Sequence, residues 1–231
     1  MSDVKCEKKG IKIPTYIPKK AHELPMFFEN KPYQGASGRV YPIPYCDGIS
    51  DEKTDVEYET YTLENEYVKT QVVPALGGKI LRGFDKVGNY DFIYYNEVVK
   101  PALVGLAGPW ISGGIEFNWP QHHRPTTFMP LEAIEEDNPD GGKTVWTGEV
   151  EPFGRMKGMA GITVDKGRSY IKAKVRVYNR TAFPQVFMWW ANLAVPVNNA
   201  YRTVFPPDCE WVNDHDRRAV LEWPIAKGLY K

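Results

Sequence analysis

Residues Ser169 to Asn179 alternate without a break. Ile171, Ala173, Val175 and Val177 fall on one side, and Tyr170, Lys172, Lys174, Arg176 and Tyr178 on the other. A period of two puts successive side chains on opposite faces of a β-strand, so this stretch predicts one face on a core and one in water. The same signal recurs along the chain between turn residues. Tyr58 to Leu63 and Tyr67 to Val73 read as strands around Glu64-Asn65-Glu66, the second stopped by Pro74. Lys79 to Phe84 follows a bend at Gly77-Gly78, and Asp91 to Tyr95 follows a turn at Lys86 to Asn89. Leu131 to Glu136 and Thr144 to Glu151 flank Asn138-Pro139-Asp140-Gly141-Gly142, and Met159 to Val164 pairs with the alternating strand around Asp165-Lys166-Gly167. Val186 to Val197 is almost wholly apolar, as a strand buried on both faces would be. No amphipathic helix of useful length and no internal repeat interrupts this series. The expectation is an all-β protein, a large sandwich of antiparallel sheets.

Before Asp55 the pattern fails. Pro14, Pro18, Pro25, Pro32, Pro42 and Pro44 break any helix, and residues 1–24 read as a flexible arm ahead of a domain over 25–231. Met1 to Pro25 is polar and lysine-rich, with no apolar stretch of the kind a signal peptide carries. Cys6, Cys46 and Cys209 form neither a disulfide framework nor a zinc pattern, which fits a reducing cytoplasm. Lys plus Arg and Asp plus Glu number 29 each, with no basic block, so nucleic acid is not the expected partner. No apolar run is long enough to span a bilayer.

The chemistry concentrates in Trp110 to Thr127, Trp-Ile-Ser-Gly-Gly-Ile-Glu-Phe-Asn-Trp-Pro-Gln-His-His-Arg-Pro-Thr-Thr. It carries two of the four histidines and two of the seven tryptophans, beside a carboxylate, an amide and a guanidinium. Aromatic faces with donors around them suit a flat, polar ligand such as a sugar. Glu116 is the candidate acid or base, and His122 and His123 are candidate partners in proton transfer. Adjacent residues on an extended backbone point to opposite sides, so at most one of these histidines faces a cleft. No matching His or Cys spacing exists elsewhere, so neither a metal nor a cofactor is expected. Asn118, Trp119, Arg124, Trp189, Trp190 and Asn192 are the candidate ligand contacts. Of Trp189 and Trp190, one should be core and the other should line the cleft.

Four stretches carry a resemblance. Tyr61 to Asp85, with its Pro74-Ala75-Leu76-Gly77-Gly78 corner, resembles the opening strands of the galactose-mutarotase-like (aldose 1-epimerase-like) superfamily. Lys100 to Leu106, Gly113 to Pro120 and Trp189 to Asn192 narrow the likeness to a bacterial family of unknown function in that superfamily. Its members often carry tetratricopeptide repeats after the sandwich. The resemblance implies a β-supersandwich, a mono- or oligosaccharide ligand, and Arg82 near the sugar. It also implies a domain that runs on beyond Lys231, so that an open edge would favour a homodimer by strand pairing. Where aldose 1-epimerases carry a His-x-x-x-Asn-Leu strand, this chain reads Met188-Trp189-Trp190-Ala191-Asn192-Leu193, and a thioether cannot donate the proton that histidine supplies. Two expectations follow. One is a carbohydrate-active enzyme of epimerase or glycosidase type; the other is a non-catalytic sugar-binding or scaffold module.

Overall fold

The structure, a computed structural model, describes residues 3–23, 42–120, 123–214 and 219–225. It comprises two compact units, Met1–Pro196 and Val197–Lys231. In chain order the strands are β1 (Lys5–Pro18), β2 (Ile49–Glu64), β3 (Val68–Val73), β4 (Lys79–Asp85), β5 (Tyr90–Asp91), β6 (Ala102–Gly105), β7 (Gly108–Trp110), β8 (Ile115–Asn118), β9 (Glu132–Asp137), β10 (Lys143–Val150), β11 (Lys157–Val164), β12 (Ile171–Tyr178), β13 (Trp190–Leu193), β14 (Trp211–Asp214) and β15 (Ala219–Glu222). Among the described residues the one helical turn is a 3-10 turn at Pro74–Leu76.

The first unit is a sandwich. A seven-stranded sheet has the order β1-β2-β3-β4-β8-β13, with β5 beside β4, and a four-stranded sheet has the order β12-β11-β10-β9. Between them Leu63, Val68, Val72, Ile80 and Phe117 meet Val145, Ala160, Ile162 and Val164 in one apolar cluster. A second cluster covers the other face of the large sheet, where Ile13, Tyr58, Val73, Leu81, Val99 and Ile111 pack together. The large sheet is therefore covered on both sides at its centre, in β3, β4 and β8, whereas most of β1 and the first half of β2 are exposed. Asn65 locks one end of the sandwich. Its carboxamide oxygen accepts from the backbone of Tyr67 and Val68, and its amide donates to the carbonyls of Asp165 and Arg168.

Three expectations need correction. The segment read as a flexible arm contains β1, which pairs with β2 from Lys5↔Glu64 to Pro18↔Ile49. Pro14 is tolerated because β1 is the edge of its sheet, where a missing N–H breaks no second ladder. The apolar run Val186 to Val197 is strand only over Trp190–Leu193, and Val186, Leu193 and Val197 are exposed. Val175 and Val177, expected in the core, are 39% and 45% exposed. The cause is common to both: β12 and β13 are the edges of their sheets at the same end of the sandwich. Between them lies an open cleft of about 550 Å3, lined by Ile80, Ile115, Phe117, Ile171, Ala173 and Leu193. The apolar segments Met26 to Phe28 and Val40-Tyr41 lie outside the described residues; Ile43 packs with Tyr45 and Ala107.

The four-stranded sheet is electrically lopsided. Edge strand β9 carries Glu132, Glu135, Glu136 and Asp137, and edge strand β12 carries Lys172, Lys174 and Arg176. Between them Trp146 lies against Gly161, with the Arg176 guanidinium 4.1 Å from its ring centroid. The second unit holds the β14–β15 hairpin, with Phe205 against Trp223 at 4.4 Å between ring centroids.

Candidate functional site

The site forms on the face of β4, β8 and β13 that points away from the four-stranded sheet. The register pairs Ile115 with Leu193, Glu116 with Asn192, Phe117 with Ala191 and Asn118 with Trp190. Alternation then gives Ile115, Phe117, Ala191 and Leu193 to the inter-sheet side, and Glu116, Asn118, Trp190 and Asn192 to the other. β8 starts hard against β4 because Gly113 and Gly114 both have positive φ, at 80° and 71°. A Cβ on Gly114 would lie 2.1 Å from the Ile80 carbonyl oxygen, so only glycine fits there.

Glu116 is 4% exposed and sits among four side-chain donors. Thr127 Oγ1 donates to Oε1 at 2.8 Å, and Trp110 Nε1 donates at 3.3 Å. Asn192 Nδ2 donates to Oε2 at 3.3 Å. His123 Nδ1 lies 3.4 Å from the carboxylate. Burial alone would raise the Glu116 carboxyl. The hydrogen bonds from His123 and Thr127, the charge of His123 and the Trp110 bond outweigh it and hold the group down at about 2. An ionised carboxylate only accepts, so the proton of this contact resides on His123 Nδ1, which leaves Nε2 free for a ligand. The His123 side chain is 40% exposed. The edge of Trp190 stands 4.6 Å from it and Trp110 stands 6.5 Å away, between ring centroids in both cases. The result is a half-open imidazole between two indoles, backed by a buried anion.

The loop that delivers His123 and Thr127 is stitched underneath. Arg124 N–H donates to Asn118 Oδ1 at 2.8 Å, and Arg124 Nη2 donates to the Gly77 carbonyl at 2.5 Å. Arg124 Nη1 meets Glu149 at 3.4 Å, while the Thr126 hydroxyl donates to the same carboxylate. Gly77 has φ 72°, and a Cβ there would lie 2.0 Å from the Thr127 carbonyl oxygen. Burial lowers the Arg124 guanidinium from its usual value, opposed by Glu149 and Glu116. Arg124 is thus an internal brace, bound to Glu149 and not to Glu116.

The other candidates separate by face. Trp190 and Asn192 join Glu116 and His123. Trp119, read as a stacking platform, is fully buried between the sheets, against Gly158. It follows Phe117 by two residues and so shares its inward face. Trp189 stacks on Phe117 at 6.0 Å and packs on the inter-sheet cluster. Asn118 is buried and holds the backbone of Arg124. Arg82 stands apart from the cluster, with its guanidinium bound by both oxygens of Asp91 at 2.5 and 2.9 Å. His122 lies outside the described residues.

Residue types alone assigned no role to three members of the site. Trp110 and Thr127 are two. The third is Lys79, which is 3% exposed and donates from Nζ to the Ile111 carbonyl at 2.7 Å. Its one sequence signal is a lysine at the head of the apolar strand Lys79-Ile80-Leu81, directly after Gly77-Gly78.

A crystal structure of a TPR-domain containing protein from Parabacteroides distasonis ATCC 8503 shares this fold, with a TM-score of 0.75 and 25% sequence identity. The match covers 85% of this chain and 33% of that one, so the chain spans about a third of the length of that protein. Residues 36–231 match the model of a family described as a domain of unknown function, DUF5107, and the chain belongs to that family.

Proposed function

We propose that this is a carbohydrate-active domain that receives a sugar against Trp110, His123 and Trp190. The observation that carries the reading is the Glu116–His123 pair. A buried carboxylate fixes an imidazole with its second nitrogen facing an aromatic rim, the arrangement of an oriented general acid–base group. Glu116 itself is too acidic to donate a proton near neutrality, so it orients the imidazole and balances its charge while His123 Nε2 takes the proton of the anomeric hydroxyl and returns it to the ring oxygen as the C1–O ring bond opens. Glu116 is also committed to four donors, so the site fits one-histidine proton transfer, as in epimer interconversion, better than hydrolysis by two free carboxylates. The sandwich and the Pro74 to Gly78 corner support membership of the galactose-mutarotase-like superfamily. Three thiols without disulfides fit a cytoplasmic home.

The second reading is an interaction module, favoured by the open apolar cleft between β12 and β13. Tryptophan fluorescence and thermal shift against a panel of mono- and oligosaccharides separate the two. The sugar reading expects a saturable response that His123→Ala abolishes and Glu116→Gln weakens at least tenfold. A flat response from the folded protein across the panel gives the domain to the interaction reading.

A further inference from the structure

The sheet register brings one more charged group to the site. β4 and β8 run antiparallel, with Ile80 opposite Ile115. One step along that pair, Lys79 stands across from Glu116, and one strand further Asn192 completes the row. Side chains directly opposite on one face have Cβ atoms about 5 Å apart. The surroundings of Lys79 are otherwise apolar, with Val73, Leu81 and Ile111 in the cluster on that face. An aliphatic side chain would pack there without the large desolvation cost of a buried ammonium. Nζ donates to the Ile111 carbonyl and makes no ion pair with Glu116, so the two charges act on each other across the strand pair and not through a hydrogen bond. Burial pulls the Lys79 amine down to about 8, and the charge of Glu116 opposes that fall.

We propose that Lys79 is the positioning residue of the site. Its ammonium compensates Glu116 across the β4–β8 pair, and through that carboxylate it sets the charge and tautomer of His123. The inference rests on the reading of His123 as the proton-transferring group. Lys79 comes from β4, His123 and Arg124 come from the loop after β8, and Glu149 of β10 faces Arg124 from below. Of these, His123 touches Glu116 and Lys79 stands opposite it in the strand register, so removal of the ammonium takes away a positive charge that Glu116 otherwise shares with the imidazole. The histidine then holds its proton more tightly.

The test reads His123 in the ligand-free protein by nitrogen NMR of the imidazole across pH. The wild type should show the Nδ1–H tautomer. Lys79→Met should raise the His123 midpoint by about one pH unit, and Lys79→Arg should restore it. In a Glu116→Gln background the added Lys79→Met should cause no further shift, because the intermediary is gone. An unchanged midpoint in folded Lys79→Met, or a shift that survives Glu116→Gln, overturns the proposal. Should Lys79→Met fail to fold, the wild type decides: His123 resonances must show a second inflection where Lys79 deprotonates, located by following the Lys79 side chain itself, and its absence overturns the proposal equally. Sugar titrations are read separately. A flat sugar response removes the sugar reading and leaves the His123 titration as it was.

Discussion

Glu116 and Glu151 are both buried carboxylates, at 4% and 1% exposure, and they are held in opposite ways. Glu151 follows β10 and accepts the backbone N–H groups of Phe153, Gly154 and Met156 at 2.7, 2.7 and 3.0 Å. Every donor lies within five residues of it, and its own N–H closes the turn on the Met156 carbonyl. Glu116 draws on Trp110, His123, Thr127 and Asn192, the last 76 residues away. A carboxylate satisfied by its own turn is part of the scaffold and forms when the turn forms. A carboxylate satisfied by side chains from separate segments exists only in the finished fold, and two of its partners face solvent. The first arrangement stabilises a loop, whereas the second organises a surface.

The largest effect should come from removing the scaffold member. Glu151→Ala strands three amides and should cost about 5 kcal/mol in urea unfolding, with sugar affinity of the folded fraction unchanged. A smaller loss of stability than from Glu116→Gln would break the contrast.

Next comes acid. The Glu116 carboxyl sits at about 2 in the folded protein against 4.5 for the free group, so the unfolded chain binds the proton first as pH falls. Its contribution, about 3 kcal/mol, is complete above pH 4.5 and disappears as pH falls toward 2. Unfolding free energies of wild type and Glu116→Gln should therefore converge across that window. Parallel curves would mean that the donors do not hold the charge.

The smallest effect should follow Arg82→Ala. That residue is half-exposed and paired with Asp91, so the loss should stay within about 1 kcal/mol. Sugar response should be unaltered, and a weakened response would bring β5 into the site.

Local signals made most of the framework legible. Asn65, the Asn138 to Gly142 turn and the alternation over Ile171 to Tyr178 are written in neighbouring residues, and each appears where alternation and turn chemistry put it. The central stretch was legible as a concentration of unusual side chains, and Glu116 and His123 do meet there. What stayed hidden depends on pairing between distant strands. Lys79 reads as a surface lysine until β4 is laid against β8. Trp119 reads as a platform until its parity with Phe117 is taken seriously, which the sequence alone allowed. Arg82 reads as a sugar contact until the β4–β5 pairing supplies Asp91. The exposure of Val175 and Leu193 depends on which strands lie at the edges, and alternation carries no information about that.

The opposed edges of the four-stranded sheet have a consequence for how copies of this protein meet. Formal charge sums to zero over the chain, yet acidic β9 and basic β12 lie three strand spacings apart, about 14 Å. Lys143 pairs with Glu135 and Asp137, and Asp165 pairs with Lys172, so the contrast left between the edges rests on Glu132 and Glu136 against Lys174 and Arg176. At low ionic strength two molecules that approach β12 to β12 repel, and those that approach β12 to β9 attract. That sense of approach is head to tail, a contact without twofold symmetry that builds rings or filaments according to its rotation. Salt near the physiological range shortens the reach of this field to about 8 Å, so attraction between copies, measured by light scattering, is expected to rise as salt is removed.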